Sequence, residues 1–490
     1  MNKNIENFYI EWIANLEAYL SGYAFDKDNQ PIKTRFAYLT LQKHLTDLLS
    51  DSLAEDQKII ILPGIRGVGK TTLLSQLYFF EQFLPKGHAR LNEKLNKLDY
   101  RIYISADRLI SENISLQDFT RYLENNIWGN LSLNKKKILF LIDEVQYDSK
   151  WDLFLKLLFD KTKGNNNILI IATGSSAIFL NQKNNDLVRR SKMERILPER
   201  FVEYLMLHHN IYPEKGLTNS LRDAIFNSEN AVQVFNKLNS LKPTLIKKLA
   251  AIPNLELNKL DYFIRGSLPF ATEMASRSQA LERIKNMVLI NIVQRDLILS
   301  GDFDAETLVK IPDTLFLLAN SDEITTGNLA NTLKIHSNTI NKILKSLVDT
   351  EILYEVKPYG QPYNQIKKSP KYLFVSSALR SGLLDGIFGS NIKGKLLEDY
   401  MALIFSRELY NKAKIFFDYG KGGADFIVRF QNNREIVIEV GFGKEDTRQV
   451  MKTIAKTNER TKYGLTIGSK QLELINDKIV KIPLNYFLLM

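Results

Sequence analysis

At 490 residues the chain is longer than one hydrophobic core organises, and roughly three domains are expected. Hydrophobic residues at 44%, charged residues at 25%, 27 Phe and 21 Tyr exclude a disordered or fibrous protein, and the absence of cysteine excludes disulfides, cysteine zinc sites and thiol nucleophiles. The net charge of +11 is spread along the chain, which suits either a polyanionic partner such as nucleic acid or a lysine-rich solvated surface.

The five histidines, His44, His88, His208, His209 and His336, have no metal-ligand spacing. No apolar run approaches the ~20 residues that span a bilayer, and the first residues carry an early acid and no apolar signal core. A soluble, cytoplasmic protein without membrane contact is expected.

Residues 8–50 show helical spacing of Phe, Ile, Trp and Leu, broken by the polar turn Asp26 to Pro31. Four short apolar runs follow, Lys58–Leu62, Tyr100–Ser105, Ile138–Ile142 and Ile168–Ala172, each succeeded by a helical pattern. That alternation predicts an α/β fold whose parallel sheet is covered on both faces.

The first run leads into Gly64-Ile65-Arg66-Gly67-Val68-Gly69-Lys70-Thr71-Thr72, and Thr71–Phe80 continues as an apolar-periodic helix. Strand, glycine loop and helix in that order form a P-loop: the backbone curls so that N–H groups and the helix N-terminus face phosphate oxygens. Lys70 is suited to the β- and γ-phosphates and Thr71 to Mg²⁺.

Five apolar residues, Ile138–Ile142, then place Asp143 at the carboxyl end of a central strand, where ligands of open α/β sheets bind. Asp143 is expected to hold Mg²⁺ through water, and Glu144 to orient or deprotonate the attacking water. The fourth run ends in Thr173-Gly174-Ser175-Ser176. Thr173 or Ser175 either faces the γ-phosphate and water or caps a helix.

These residues, with Val145-Gln146, Trp151 and Ala177, make the chain similar to the AAA-type ATPases of bacteria and archaea, related in style to the STAND signalling ATPases. The similarity continues in Arg189-Arg190, in Leu197-Pro198-Glu199-Arg200-Phe201-Val202-Glu203-Tyr204 and in Ile264-Arg265-Gly266-Ser267-Leu268-Pro269. The resemblance implies ATP as the nucleotide, and no Asn-Lys-x-Asp guanine-reading motif is seen. Arg190 aligns with the family arginine, which makes it a γ-phosphate sensor or finger, or else one of an exposed basic pair. Such switches often take an arginine from a neighbour, so a homo-oligomer is expected.

The resemblance also implies a winged helix and a C-terminal restriction-endonuclease-like domain, as many relatives carry. Residues 211–310 read as helices punctuated by Pro243, Pro253 and Pro269. Ile324–Ala330, the turn Lys334–Ser337 and the helix Ser337–Val348 have helix-turn-helix layout, with Asn338, Asn341, Lys342 and Lys345 on the polar face for DNA or, alternatively, for a protein partner. Tyr354–Tyr359 and Tyr372–Val375 are the wing strands, with Lys367, Lys368 and Lys371 near the tip.

In the last hundred residues Glu398, Asp425 and Glu439 are spaced like the carboxylates that restriction-type nucleases gather around Mg²⁺. The lysine such nucleases carry two residues after the second acid is Gly441 here, with Lys444 able to reach in from the loop. The expected division is a helical lead-in (1–50), a P-loop domain (51–210), a helical linker (211–310), a winged helix (311–385) and a nuclease-like α/β domain (386–490). The function expected is a Mg²⁺-dependent ATPase switch or motor associated with DNA. The alternatives are an ATP-regulated DNA nuclease and a nucleotide-binding protein-interaction module with little turnover.

Overall fold

The computed structural model of the chain describes residues 2–84, 98–176, 187, 189–290, 303–321, 324–387, 389, 392–457 and 460–490. His88 and Ala177 lie outside these residues. Two compact units are present, Met1–Ile196 and Leu197–Met490.

The first unit is a parallel sheet flanked by helices. Its strands are β1 (Ile59–Pro63), β2 (Leu98–Ser105), β3 (Lys137–Asp143), β4 (Ile168–Gly174) and β5 (Lys192–Met193), in the order β2-β3-β4-β1-β5. Every residue of β1, β3 and β4 is buried, as unbroken Ile/Leu runs require when both faces are covered. The order matters for chemistry: β4 lies between β1 and β3, so the residue ending β4 falls between the P-loop and the acid that ends β3.

The lead-in forms two helices, Asn2–Ala24 and Phe36–Leu49. Ile5, Trp12, Leu16, Leu20 and Ala24 make one buried stripe at helical spacing. Two-residue β5 was not anticipated because it is too short to carry a periodic signal; it exists because Ile60 and Ile61 of β1 offer it a ladder.

In the second unit the helix Phe201–His209, assigned above to the P-loop domain, shares a core with Leu221, Leu245, Tyr262 and Tyr400. The aromatic rings of Phe201, Tyr204 and Tyr262 meet at 5.3–6.1 Å. Pro243, read as a break, sits inside the helix Ala231–Ala250. It is exposed, as is Asn239 one turn before it, so the helical hydrogen bond that the ring removes is lost on the solvent side.

The helices Ala305–Asn320, Thr326–Leu333 and Ser337–Asp349 precede an antiparallel hairpin of β6 (Leu353–Pro358) and β7 (Lys371–Phe374). The helix Ile392–Glu408 follows, then β8 (Ala413–Phe417), β9 (Phe426–Phe430), β10 (Glu435–Val440), the helix Arg448–Thr457, β11 (Thr461–Ser469), β12 (Glu473–Ile475) and β13 (Ile479–Pro483). The hairpin is not a separate wing: β6 pairs with β8, giving one mixed sheet of eight strands, β12-β13-β11-β10-β9-β8-β6-β7. Among the described residues no helix is long and apolar enough to cross a membrane.

Candidate nucleotide site and carboxylate cluster

The P-loop joins β1 to the helix Lys70–Tyr78, with Gly67 and Gly69 at φ 81° and 86°, a backbone that side-chain-bearing residues resist. Gly64 has a different reason to be glycine. A Cβ there would lie 2.3 Å from the carbonyl oxygen of Ile196, whose N–H donates to Pro63 O at 2.8 Å. Its role is to let the segment after β5 close against the loop's root.

Lys70 Nζ is buried and donates to Gly64 O (2.8 Å) and Ile65 O (3.2 Å). Thr71 Oγ1 donates to Asp143 Oδ2 at 2.7 Å, and Thr173 Oγ1, delivered by β4, donates to Asp143 Oδ1. Thr71, Asp143 and Thr173 are therefore brought together.

Burial, and then the charge of Glu144, raise the Asp143 carboxyl above its ordinary range, against the hydrogen bonds from Thr173, Thr71 and Tyr103. Glu144 follows at φ 53°, a left-handed conformation costing on the order of 1–3 kcal/mol in a residue other than glycine. Its N–H, 3.1 Å from both Asp143 Oδ1 and Thr173 Oγ1, holds it there. Arg66 Nη2 stands 3.7 Å from Glu144 Oε2 and donates to Tyr147 OH at 3.3 Å, while Gln146 Nε2 also donates to the Glu144 carboxylate. Ser175 is buried: its N–H donates to Gln146 Oε1 at 3.3 Å, and its Oγ has no hydrogen-bond partner among the described residues.

Two contributors were missed in the sequence. Tyr103 OH, from β2, donates to Asp143 Oδ2 at 2.9 Å, and Trp12 Nε1 donates to the Tyr103 carbonyl at 2.8 Å. Arg35, before the second lead-in helix, donates to Val68 O at 2.6 Å inside the P-loop. Neither has a local motif; Tyr103 reaches Asp143 because Ser105 pairs with Asp143 in the structure, which sets Tyr103 two residues back on the adjacent strand.

Arg190 is not brought to this cluster. Its Nε meets Asp160 Oδ1 at 2.8 Å, and because Lys192 pairs with Ile60, Arg190 lies toward the amino end of β1, opposite the P-loop end.

With this geometry established, residues 56–205 match the family described as an AAA domain and residues 258–388 a domain of unknown function. An uncharacterized protein of Methanocaldococcus jannaschii is 33% identical over 494 residues, covering 99% of this chain and 94% of that one. The chain belongs to the AAA-type P-loop ATPases. A Haemophilus influenzae protein of the same description is 22% identical, covering 74% of this AAA-type chain and 77% of its own length. Among solved structures, the Aeropyrum pernix ORC1 protein in complex with DNA is 12% identical over 73% of the AAA-type chain and 94% of that chain, at a TM-score of 0.31. As an AAA-type ATPase the chain binds nucleotide.

In the second unit Glu398, Asp425 and Glu439 gather at one end of the large sheet. Asp425 N–H donates to Glu439 Oε2 (3.0 Å), and Val440 N–H donates to Asp425 Oδ2 (2.9 Å). Lysines balance the acids: Lys371 and Lys395 hold Glu398, and Lys444 Nζ meets Glu439 Oε1 at 2.6 Å. Gly441 explains the last contact, since a Cβ there would crowd the Lys444 side chain at 3.3–3.4 Å. The missing side chain gives Lys444 room to fold back. Lys371, near the hairpin tip as the first residue of β7, is paired with Glu398. Among the described residues no three His, Cys, Asp or Glu side chains are arranged to hold a metal.

Burial, then Glu398 and Glu439, push Asp425 up to about 7 from 3.8. Glu398 is desolvated too, but Lys371 and Lys395 outweigh that and hold it below its usual range. The folded chain keeps a proton on Asp425 between pH 3.8 and about 7 that the unfolded chain has released, so this group lowers stability as pH rises through that window. Asp425→Asn should melt with wild type near pH 4 and above it at pH 8. The ceiling is about 4 kcal/mol, the lowering effect of Lys371 already included. A melting-temperature difference that is flat with pH would refute this.

Proposed function

We propose that the chain hydrolyses ATP with Mg²⁺ and that the cycle drives a nucleic-acid-associated switch. The observation that carries this reading is the convergence of Thr71, Thr173 and Tyr103 on Asp143, with Glu144 held beside them. The residues suit the expected ligands: the raised Asp143 carboxyl and the adjacent Thr71 hydroxyl would hold a divalent cation, and the buried Ser175 Oγ has a hydrogen bond to give. Mg²⁺, when bound, supplies positive charge against the phosphate oxygens.

Gly67, Gly69 and the start of the helix Lys70–Tyr78 would cradle the phosphates, and Lys70 would leave the loop carbonyls for the β- and γ-oxygens. Glu144 would take the proton of the attacking water, and Thr173 would orient that water or the γ-phosphate. Arg190, at the opposite sheet end, would meet a γ-phosphate only on a neighbouring copy, which is the reading under which the protein works as a homo-oligomer.

The nucleic-acid part rests on the net charge of +11 and on the exposed Asn338, Asn341, Lys342 and Lys345 of the helix Ser337–Asp349. Purified protein should release phosphate from ATP with Mg²⁺, stop when EDTA is added, and turn over faster when DNA is present. No phosphate release under any of these conditions would dismiss the ATPase reading, and indifference to DNA would dismiss the coupling.

A further inference from the structure

We propose that a single-stranded nucleic-acid segment binds the second unit at the sheet end built by the β6–β7 tip and the glycine-rich loop after β8, not along the helix Ser337–Asp349. This rests on the nucleic-acid reading above and assigns it a place.

Strand register brings together the connection after β6, which carries the helix Pro362–Lys367, and the loop after β8. Pro358, ending β6, pairs with Phe417, ending β8, so the connection 359–370 and the loop Asp418 to Ala424 leave the sheet at the same end. Val356 pairs with Lys371, and Ile438 with Phe426, which puts the starts of β7 and β9 and the end of β10 there as well. Side chains close the seam: Lys368 Nζ stands over the Tyr419 ring at 5.4 Å, and Lys452 Nζ donates to the Lys421 carbonyl.

The surface so formed is aromatic and basic. Tyr363 is 71% exposed and Tyr419 45%, so both rings are open to a partner that stacks on them. Lys367 lies over Tyr363 at 5.8 Å as Lys368 does over Tyr419. Lys367, Lys368, Lys421 and Lys452 are exposed, and none forms an ion pair among the described residues. The nearby cations that do have acids, Lys371, Lys444 and Lys456, are spent on Glu398, Glu439 and Asp418. A net positive rim therefore surrounds two rings.

Rings flanked by unpaired lysines suit a flexible strand whose bases stack while its phosphates reach the ammonium groups. A paired duplex hides its base faces and would not use the tyrosines. The helix Ser337–Asp349 is the poorer site: it carries no aromatic residue on which a base could stack, and its two lysines each have an aspartate near, Asp304 for Lys342 and Asp349 for Lys345.

The test is fluorescence anisotropy of an oligo(dT) of about 30 nucleotides with the full chain, across about 50–200 mM salt. Four phosphate contacts predict a log–log salt slope near −3, from about −0.7 per contact. Lys367→Ala with Lys368→Ala and Lys421→Ala should weaken binding at least about tenfold and flatten the slope by about 2. Tyr363→Ala with Tyr419→Ala should weaken it about tenfold or more and leave the slope alone, a pattern that misfolding does not produce. Lys342→Ala with Lys345→Ala should change little.

If only that last pair abolishes binding, nucleic acid is still the partner and this surface is wrong. A duplex of equal length bound as tightly as oligo(dT), or polyglutamate competing equally, would also overturn the proposal. No binding to any nucleic acid would remove the broader reading with it.

Discussion

Glu144→Gln should cut ATP turnover by about 10²–10³-fold, the usual loss when a positioned general base is removed, while nucleotide affinity stays near wild type. The split follows from position. The Glu144 carboxylate belongs to the turn after β3, where Arg66 and Gln146 orient it; glutamine keeps the length and can still accept from Gln146, giving up only the charge attraction to Arg66 at 3.7 Å. The loop and Lys70, which would carry affinity, are unchanged. Phosphate release and binding of a fluorescent ATP analogue measure the two arms. Turnover equal to wild type would remove Glu144 from the chemistry, and loss of affinity would make it a folding element of the site. Lys70→Ala is the contrasting control, expected to lose affinity.

The second large effect lies in the second unit. Asp399→Ala should destabilise that unit by about 3–5 kcal/mol, because it strands a buried guanidinium. Asp399 takes Arg380 Nε at 2.6 Å and Nη2 at 2.9 Å, and neither side chain is more than 1% exposed. The remaining Arg380 nitrogen donates to Leu318 O and Ala319 O, and Phe374 N–H donates to Asp399 Oδ1. Four elements meet at one ion pair: the end of the helix Ala305–Asn320, the end of β7, the helix Ser377–Leu383 and the helix Ile392–Glu408. Urea denaturation of wild type, Asp399→Ala and the pair Asp399→Ala with Arg380→Met decides it. The double variant should recover much of the loss, since no charge is then left buried. A single variant within about 1 kcal/mol of wild type would mean water reaches Arg380 and the clamp is not as described.

How far the sequence announces this architecture depends on the range of the forces involved. The P-loop, Asp143, Glu144 and Thr173 are legible because each sits at the end of a run of buried apolar residues, and strand length alone fixes which residue emerges at the sheet edge. Tyr103 and Arg35 are illegible: their approach to Asp143 and Val68 follows from strand order and from a turn between helices. Arg190 resembled a site residue by alignment, but the ladder between Ile60 and Lys192 carries it to the other end of the sheet. The carboxylates of the second unit were legible by spacing. The role of Lys444 was not, because it depends on Gly441 leaving space for a side chain to turn back.

The ladder between β6 and β8 also bears on how force would travel. A wing that hangs from its own small hairpin can swing while the domain behind it stays still. Here the hairpin and the carboxylate-bearing strands are one hydrogen-bonded sheet, so bending between them would break main-chain bonds at Lys357 and Pro358. A displacement imposed on the tip would reach the strands that bear the acids through the two paired positions, Lys357 with Phe416 and Pro358 with Phe417. The natural place for give within this unit is therefore among the helices that precede β6, not across the border between hairpin and sheet.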